Sequence, residues 1–224
     1  MRQTYIALFI ASTLAFCITP ASAQLGGLKL PGIGAGNSSA DQAKGPDIDT
    51  FLKTAETADG LVRKSGEVLF QAVATKDELA AHEANVKAAN VVADPKEKEA
   101  ALKKAAEDQQ ATLAKVDFNE RAKVASTNLD AQRKKQVGSA IWNFTLGMLK
   151  NKELLEQGKG VVSAASSNPM AATKLIKAKD VMSSVSSQMG NIGKIATGIQ
   201  KLSAAVGVDK LPTKSSDTPV AAAD

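Results

Sequence analysis

The side chains that most often perform catalysis or bind metal ions are scarce in this chain of 224 residues. His82 is its only histidine and Cys17 its only cysteine. A zinc site uses several cysteine or histidine ligands, and a nucleophile–base relay needs a histidine beside the nucleophile. We therefore predict no metal site, no cofactor and no catalytic residue. We interpret His82 as a histidine at the edge of the core with one hydrogen-bond partner.

A glycine-rich stretch, several carboxylates and a short basic run are the other candidates for chemistry. Residues 32–36 contain three glycines, but they lack the last glycine of a dinucleotide-binding loop and follow no predicted strand. Asp94 and Glu97 are closely spaced, yet the alternating oxygen ligands of a calcium loop are missing. Residues 133–135 are basic, but aromatic residues make up only 4% of the chain, too few for a base-stacking platform. We therefore expect no nucleic-acid binding.

The most apolar stretch beyond the first two dozen residues surrounds the single tryptophan. Trp142, Phe144 and Met148 belong to a segment whose apolar residues point in all directions around a helix. Such a segment is either fully buried or partly a docking surface. We predict that a protein partner or a lipid tail contacts this segment together with three residues further along the chain. Those three residues are Met182, Val185 and Met189.

The first 23 residues have the pattern of a cleaved export signal. Arg2 precedes an uncharged, mostly apolar run at 6–18, which is too short to span a bilayer comfortably. A box of small residues follows, and we predict cleavage between Ala23 and Gln24. The alternatives are an uncleaved anchor and a lipoprotein signal ending at Cys17, the latter disfavoured because a bulky residue precedes the cysteine. The signal predicts a periplasmic protein, with secretion as the second choice.

The rest of the sequence predicts a helical body between two flexible segments. Residues 24–46 are rich in glycine and proline and are expected to form a flexible linker, and residues 212–224 a disordered tail. Over residues 47–211 apolar residues recur at alternating steps of three and four, the spacing of a coiled-coil seam or bundle core. The predicted fold is an all-α, elongated, coiled-coil-like bundle of about five helices. We place these helices at 47–74, 76–93, 95–116, 117–166 and 169–207, the fourth with a bend or break at Gly138, Gly147 or Gly158.

The two halves of the predicted bundle differ in charge. Residues 41–135 carry 16 basic and 17 acidic side chains, whereas residues 136–224 carry 10 basic and 6 acidic ones. One interpretation is that the second half is the buried centre of the bundle, since Met and Ile at helical spacing usually lie in a core. The other is that it lies on a membrane, where its lysines would meet anionic headgroups while Met182, Ile192 and Ile199 enter the acyl region.

These patterns favour a non-catalytic protein that acts after export. The first function is a periplasmic scaffold, adaptor or chaperone-like bundle that binds a protein partner or associates with itself. The alternative is a helical protein that binds lipid or an anionic membrane surface. An enzyme that uses only carboxylates and lysines is the least favoured, because paired-acid sites that cleave sugars lie in clefts rich in aromatic residues.

Overall fold

Six α-helices and no strand form the secondary structure of the residues that the computed structural model describes, 47–166 and 172–221. The helices are α1 (Ile48–Val73), α2 (Lys76–Asn90), α3 (Pro95–Leu113), α4 (Phe118–Asn128), α5 (Ala131–Ser166) and α6 (Ala172–Val206). The predicted all-α fold is confirmed, with six helices where about five were expected. The predicted signal sequence at 1–23, the linker at 24–46 and the first residues of the helix predicted at 169–207 lie outside the described residues.

Short polar side chains begin the middle helices. At α2 the Thr75 hydroxyl accepts from the Glu78 N–H at 3.1 Å, while the Thr75 N–H donates to the Glu78 carboxylate at 2.6 Å. This reciprocal capping box satisfies two backbone donors that have no partner within the helix. The backbone hydrogen bond from Thr75 lowers the pKa of Glu78, because it stabilises the charged carboxylate. At α3 the Asp94 carboxylate accepts from the N–H groups of Lys96 and Glu97.

The helix predicted over residues 117–166 is in fact two helices, α4 and α5. Leu129 has an extended backbone (φ −84°, ψ 129°) and ends α4. The Asp130 carboxylate then accepts a hydrogen bond from the Arg133 N–H at 2.7 Å. An aspartate that accepts from the third following amide starts a new helix, so the chain breaks at this point.

The break expected at Gly138, Gly147 or Gly158 is wrong, because α5 runs through all three glycines. Gly147 allows α5 to approach α1 closely. A Cβ added there would lie 2.8 Å from Val62 Cγ2 and 3.1 Å from the Ala58 carbonyl oxygen. The glycine is therefore explained by the close packing of α5 against α1.

The main hydrophobic core is formed largely by α1, α5 and α6, with α4 covering one side. A second apolar cluster contains Phe51 of α1, Leu154 of α5 and Ala178 of α6. Ile192 and Ile199 are buried in the main core, with exposed fractions of 0% and 2%. This burial fits the interpretation that the second half of the chain forms the centre of the bundle. Within the described residues, no helix is long and apolar enough to cross a membrane.

The hairpin formed by α2 and α3 packs far less tightly than the long helices. Ala89 is the only buried residue of α2, and α3 has none before Ala105. The tip of the hairpin leaves Val91 78% exposed. The first half of α3 therefore buries little of itself against the rest of the bundle, and a groove remains beside it.

The segment after α6 is docked on α5. Residues 212–221 contain neither helix nor strand, yet three side chains of α5 bind their backbone. The Trp142 indole N–H and the Lys150 ammonium donate to carbonyl oxygens at 3.0 and 2.6 Å, and Asn143 makes two further hydrogen bonds. The predicted disorder of the tail therefore does not hold for these residues, because polar side chains of α5 satisfy the tail's backbone groups. Residues 222–224 lie outside the described part of the chain.

Candidate binding groove

Three of the six residues predicted to form one contact surface meet in the main core. Phe144 is fully buried there, and Met148 and Met189 pack against the same core cluster while remaining partly exposed. Phe144 and Met148 belong to α5 and Met189 belongs to α6, so these side chains pack at the contact between the two helices. These side chains are accounted for by packing within the bundle.

The other three predicted contact residues lie elsewhere. Trp142 is half-buried and donates its indole N–H to the Thr218 carbonyl oxygen in the tail. Met182 packs against the second apolar cluster, close to Gly158. Val185 is buried and lines a groove. The structure therefore does not bring the six residues together into one surface.

That groove, of about 710 Å³, lies between α1, α3 and α6. Its volume falls within the range typical of ligand sites. The lining residues of α1 run from Leu52 to Arg63, which corresponds to roughly 16 Å at the rise of an α-helix. The groove is thus a trough about three helical turns long. Its apolar lining consists of Leu52 and Ala55 of α1, Leu102 and Ala106 of α3, and Val181 and Val185 of α6.

Charged side chains of both signs surround the apolar lining. The acidic ones are Glu56, Asp59, Glu99, Glu107 and Asp180, and the basic ones are Arg63, Lys98, Lys103 and Lys177. Two ion pairs form among them, Arg63–Asp59 at 3.9 Å and Lys103–Glu107 at 4.0 Å. Both pairs are exposed and join neighbouring turns of one helix, so each stabilises the fold by only a few tenths of a kcal/mol. The other charged side chains of the rim form no ion pair within residues 47–166 and 172–221, so they can meet a bound molecule.

Two buried amides open onto the groove. Asn151 of α5 and Gln110 of α3 line it and have exposed fractions of only 2% and 7%. Within the described residues neither side chain has a hydrogen-bond partner, although every fully enclosed side-chain nitrogen or oxygen does have one. The amide groups of Asn151 and Gln110 must therefore remain accessible from the groove. They offer donors and acceptors to whatever enters it.

Neither amide was predicted as a site residue, although the sequence contains a signal for both. The apolar stripe of α5 has Met148 and then Leu155, and the stripe of α3 has Ala106 and then Leu113. An apolar residue is missing halfway across each interval, near Asn151 and Gln110. Polar residues at such positions of a helical seam fix register or partner choice. A search for gaps in the stripes would have found both residues.

His82 lies at the edge of the core, as the sequence analysis predicted. Its ring meets Phe70 edge to face with centroids 5.5 Å apart, and its Nε2 is 3.5 Å from the Gln109 amide nitrogen. Gln109 therefore faces α2, whereas Gln110 faces the groove. Nothing in this contact supplies a nucleophile or a second metal ligand, and the described residues contain no cluster of three or more potential metal ligands.

Comparison with known proteins gives no match: no family model, no curated sequence and no solved structure is detectably similar to the chain. The groove between α1, α3 and α6 is therefore interpreted from its own geometry and chemistry.

Proposed function

We propose that this protein is a non-catalytic helical interaction protein, exported to the periplasm, that binds a helical segment of a protein partner in the groove between α1, α3 and α6. The observation that carries the proposal is an apolar trough whose walls are faces of three helices. It has a rim of mixed charge and two largely buried amides that open onto it. A scaffold, adaptor or chaperone-like role would use such a groove.

The dimensions of the groove favour a helix as its occupant. Its walls are helix faces about three turns long, and α3 has no buried residue before Ala105. An amphipathic helix laid into the trough would cover the apolar lining and complete a bundle-like packing around itself. Flanking charges on that helix would meet the rim as they do beside a coiled-coil seam.

The charges of the rim favour a peptide over an anionic lipid. Five acidic side chains face four basic ones, and such a rim would repel an anionic headgroup as strongly as it attracts one. The apolar residues that would enter a membrane are also largely occupied, since Ile192 and Ile199 lie in the core. Lipid binding remains the alternative outcome of the test below.

A pull-down from periplasmic extract with three forms of the protein tests the proposal. Leu102→Asp places a charge on the apolar wall of the groove, while Val124→Asp places one on α4 at a residue that is 49% exposed and outside the groove. We expect a partner retained by the wild type and by Val124→Asp but reduced at least tenfold with Leu102→Asp. Circular dichroism establishes that both variants are folded.

Equal retention by Leu102→Asp would contradict the proposal. Anionic vesicles that bind the wild type and not Leu102→Asp would instead support the lipid alternative. The preparation of the periplasmic extract also tests export. The mature chain is expected in that extract and is expected to begin at Gln24.

A further inference from the structure

The two amides in the groove restrict what kind of helix can bind there. Asn151 and Gln110 lie among apolar side chains and have no partner within the described residues. In the free protein, water reaches them through the open groove. A helix with a purely apolar face would expel that water and leave the amides without hydrogen bonds, which opposes binding.

The nature of the amide group indicates its best partner. An amide presents a carbonyl oxygen that accepts and an NH₂ group that donates, so it pairs fully with a group that also does both. A carboxylate only accepts and an ammonium only donates, and either would have to lose its hydration on entering the groove. A second amide satisfies both functions without bringing in a charge.

We infer that the groove selects a partner helix that carries an asparagine or glutamine within its apolar face, and that Asn151 and Gln110 determine this specificity. The inference rests on the proposed function and names the partner's chemistry.

The mixed charge of the rim completes the description of the partner. On α1 the rim carries Glu56, Asp59 and Arg63, and on α6 it carries Lys177 and Asp180. A partner helix with both signs of charge beside its apolar face meets opposite charges on each wall. A helix that is uniformly basic or uniformly acidic meets like charges as well.

Binding of two matched peptides to the full-length protein tests the inference. The peptides are 18-residue amphipathic helices with a Leu/Ala face and mixed Glu and Lys flanks, identical except for Gln or Leu at the centre of the face. For the wild-type protein we expect the Gln peptide to bind at least tenfold more tightly in calorimetry. For the double variant Asn151→Leu, Gln110→Leu we expect this preference to disappear or reverse.

Gln188→Leu is the matched control. Gln188 also lines the groove, but its amide already donates to the Ser184 hydroxyl at 3.3 Å, so its loss should leave the preference for the Gln peptide unchanged. Circular dichroism and thermal melting of each variant separate a lost preference from a lost fold.

The possible failures are distinguishable. Equal affinity of the wild type for both peptides would overturn the specificity inference and leave the proposed helix-binding function standing. No binding of either peptide would overturn both. A wild-type dimer that Leu102→Asp converts to a monomer would identify a second copy of this chain as the occupant and would overturn the assignment of a separate partner.

Discussion

At the scale of single residues, the environment of a Cβ position explains why some glycines are required in these helices and others are not. Gly198 and Gly193 are five positions apart on α6. A Cβ added at Gly198 would overlap the ring of Phe118, which begins α4 and is buried. A Cβ added at Gly193 would meet nothing within 4 Å. Because Gly198 has no Cβ, the Phe118 ring can pack against α6. Gly193 makes room for no neighbouring side chain, so it only lowers the stability of the helix.

Alanine substitutions at these two glycines should therefore have opposite effects. We expect Gly198→Ala to lower the free energy of unfolding by about 1–3 kcal/mol, because the Phe118 ring must move from its packed position. We expect Gly193→Ala to raise it by up to about 1 kcal/mol, because alanine favours the helical backbone. Urea denaturation followed by circular dichroism measures both. A stabilising Gly198→Ala would show that α4 can shift without cost.

Residue-scale prediction from the sequence was correct where a single pattern decided the outcome. His82 lies three residues after Leu79 and four before Val86, and this helical spacing of apolar neighbours is enough to place it at the edge of the core. The contact of Trp142 with the tail was not predicted, because the segment that it touches lies 76 residues further along the chain. Asn151 was missed because the stripes were defined by the apolar residues that they contain, and its position is a gap in one of them.

At the scale of secondary-structure elements, the hairpin of α2 and α3 depends on its caps more than the long helices do. With one buried residue, α2 gains little from packing, so most of its stability must come from local interactions. The Thr75–Glu78 capping box is the strongest of these.

The helix starts of α2 and α3 were predictable because they follow from local chemistry, whereas the break between α4 and α5 was missed. Leu129 and Asp130 carry no glycine or proline to mark it.

The contribution of the capping box should depend on pH. The pKa of Glu78 is lowered in the folded state by the backbone hydrogen bond from Thr75. A lowered folded-state pKa gives stability that is present above the unfolded-state value of about 4.3 and is lost as the pH falls through the folded-state value. We therefore expect Glu78→Gln, which keeps a side-chain acceptor but removes the charge near the helix N-terminus, to cost about 0.5 kcal/mol at pH 7 and less as the pH falls below about 4.

Urea denaturation of wild type and variant between pH 3 and 7 measures this difference. Glu83→Gln, at an exposed position of the same helix, controls for removal of a negative charge from α2. A cost of Glu78→Gln that stays constant across this pH range would show that the negative charge of Glu78 does not contribute to stability.

At the scale of the whole described structure, α1, α5 and α6 form the body, and two less buried parts lie on it. One part is the α2–α3 hairpin, which borders the groove. The other is the tail at 212–221, which lies along α5. The sequence predicted the body because the stripes of these helices are long and regular. It could not predict how the hairpin and the tail dock, because those contacts depend on which helix faces are left uncovered after the core has formed.

The tail is anchored at its start and held mainly by polar contacts beyond it. Leu211 packs against the main core and Pro212 is buried, but residues 218–221 are exposed. Over this exposed part the hydrogen bonds from Trp142 and Asn143 are the contacts that fix the backbone. Intramolecular hydrogen bonds of this kind contribute about 1 kcal/mol each. The end of the tail should therefore open more readily than the bundle.

Loss of the Asn143 amide should open the tail without unfolding the body. This side chain donates to the Val220 carbonyl oxygen at 2.8 Å and accepts from the Val220 N–H at 3.0 Å. We expect Asn143→Ala to speed hydrogen exchange of the Val220 amide about tenfold, since it removes both bonds, while the amides of α1 and α6 keep their protection. Lys159→Ala, at an exposed position on α5 without a tail contact, is the control. Unchanged exchange at Val220 would mean that the anchor at Leu211 and Pro212 alone determines the position of the tail. Faster exchange throughout α5 would mean that the tail contributes to the stability of the body.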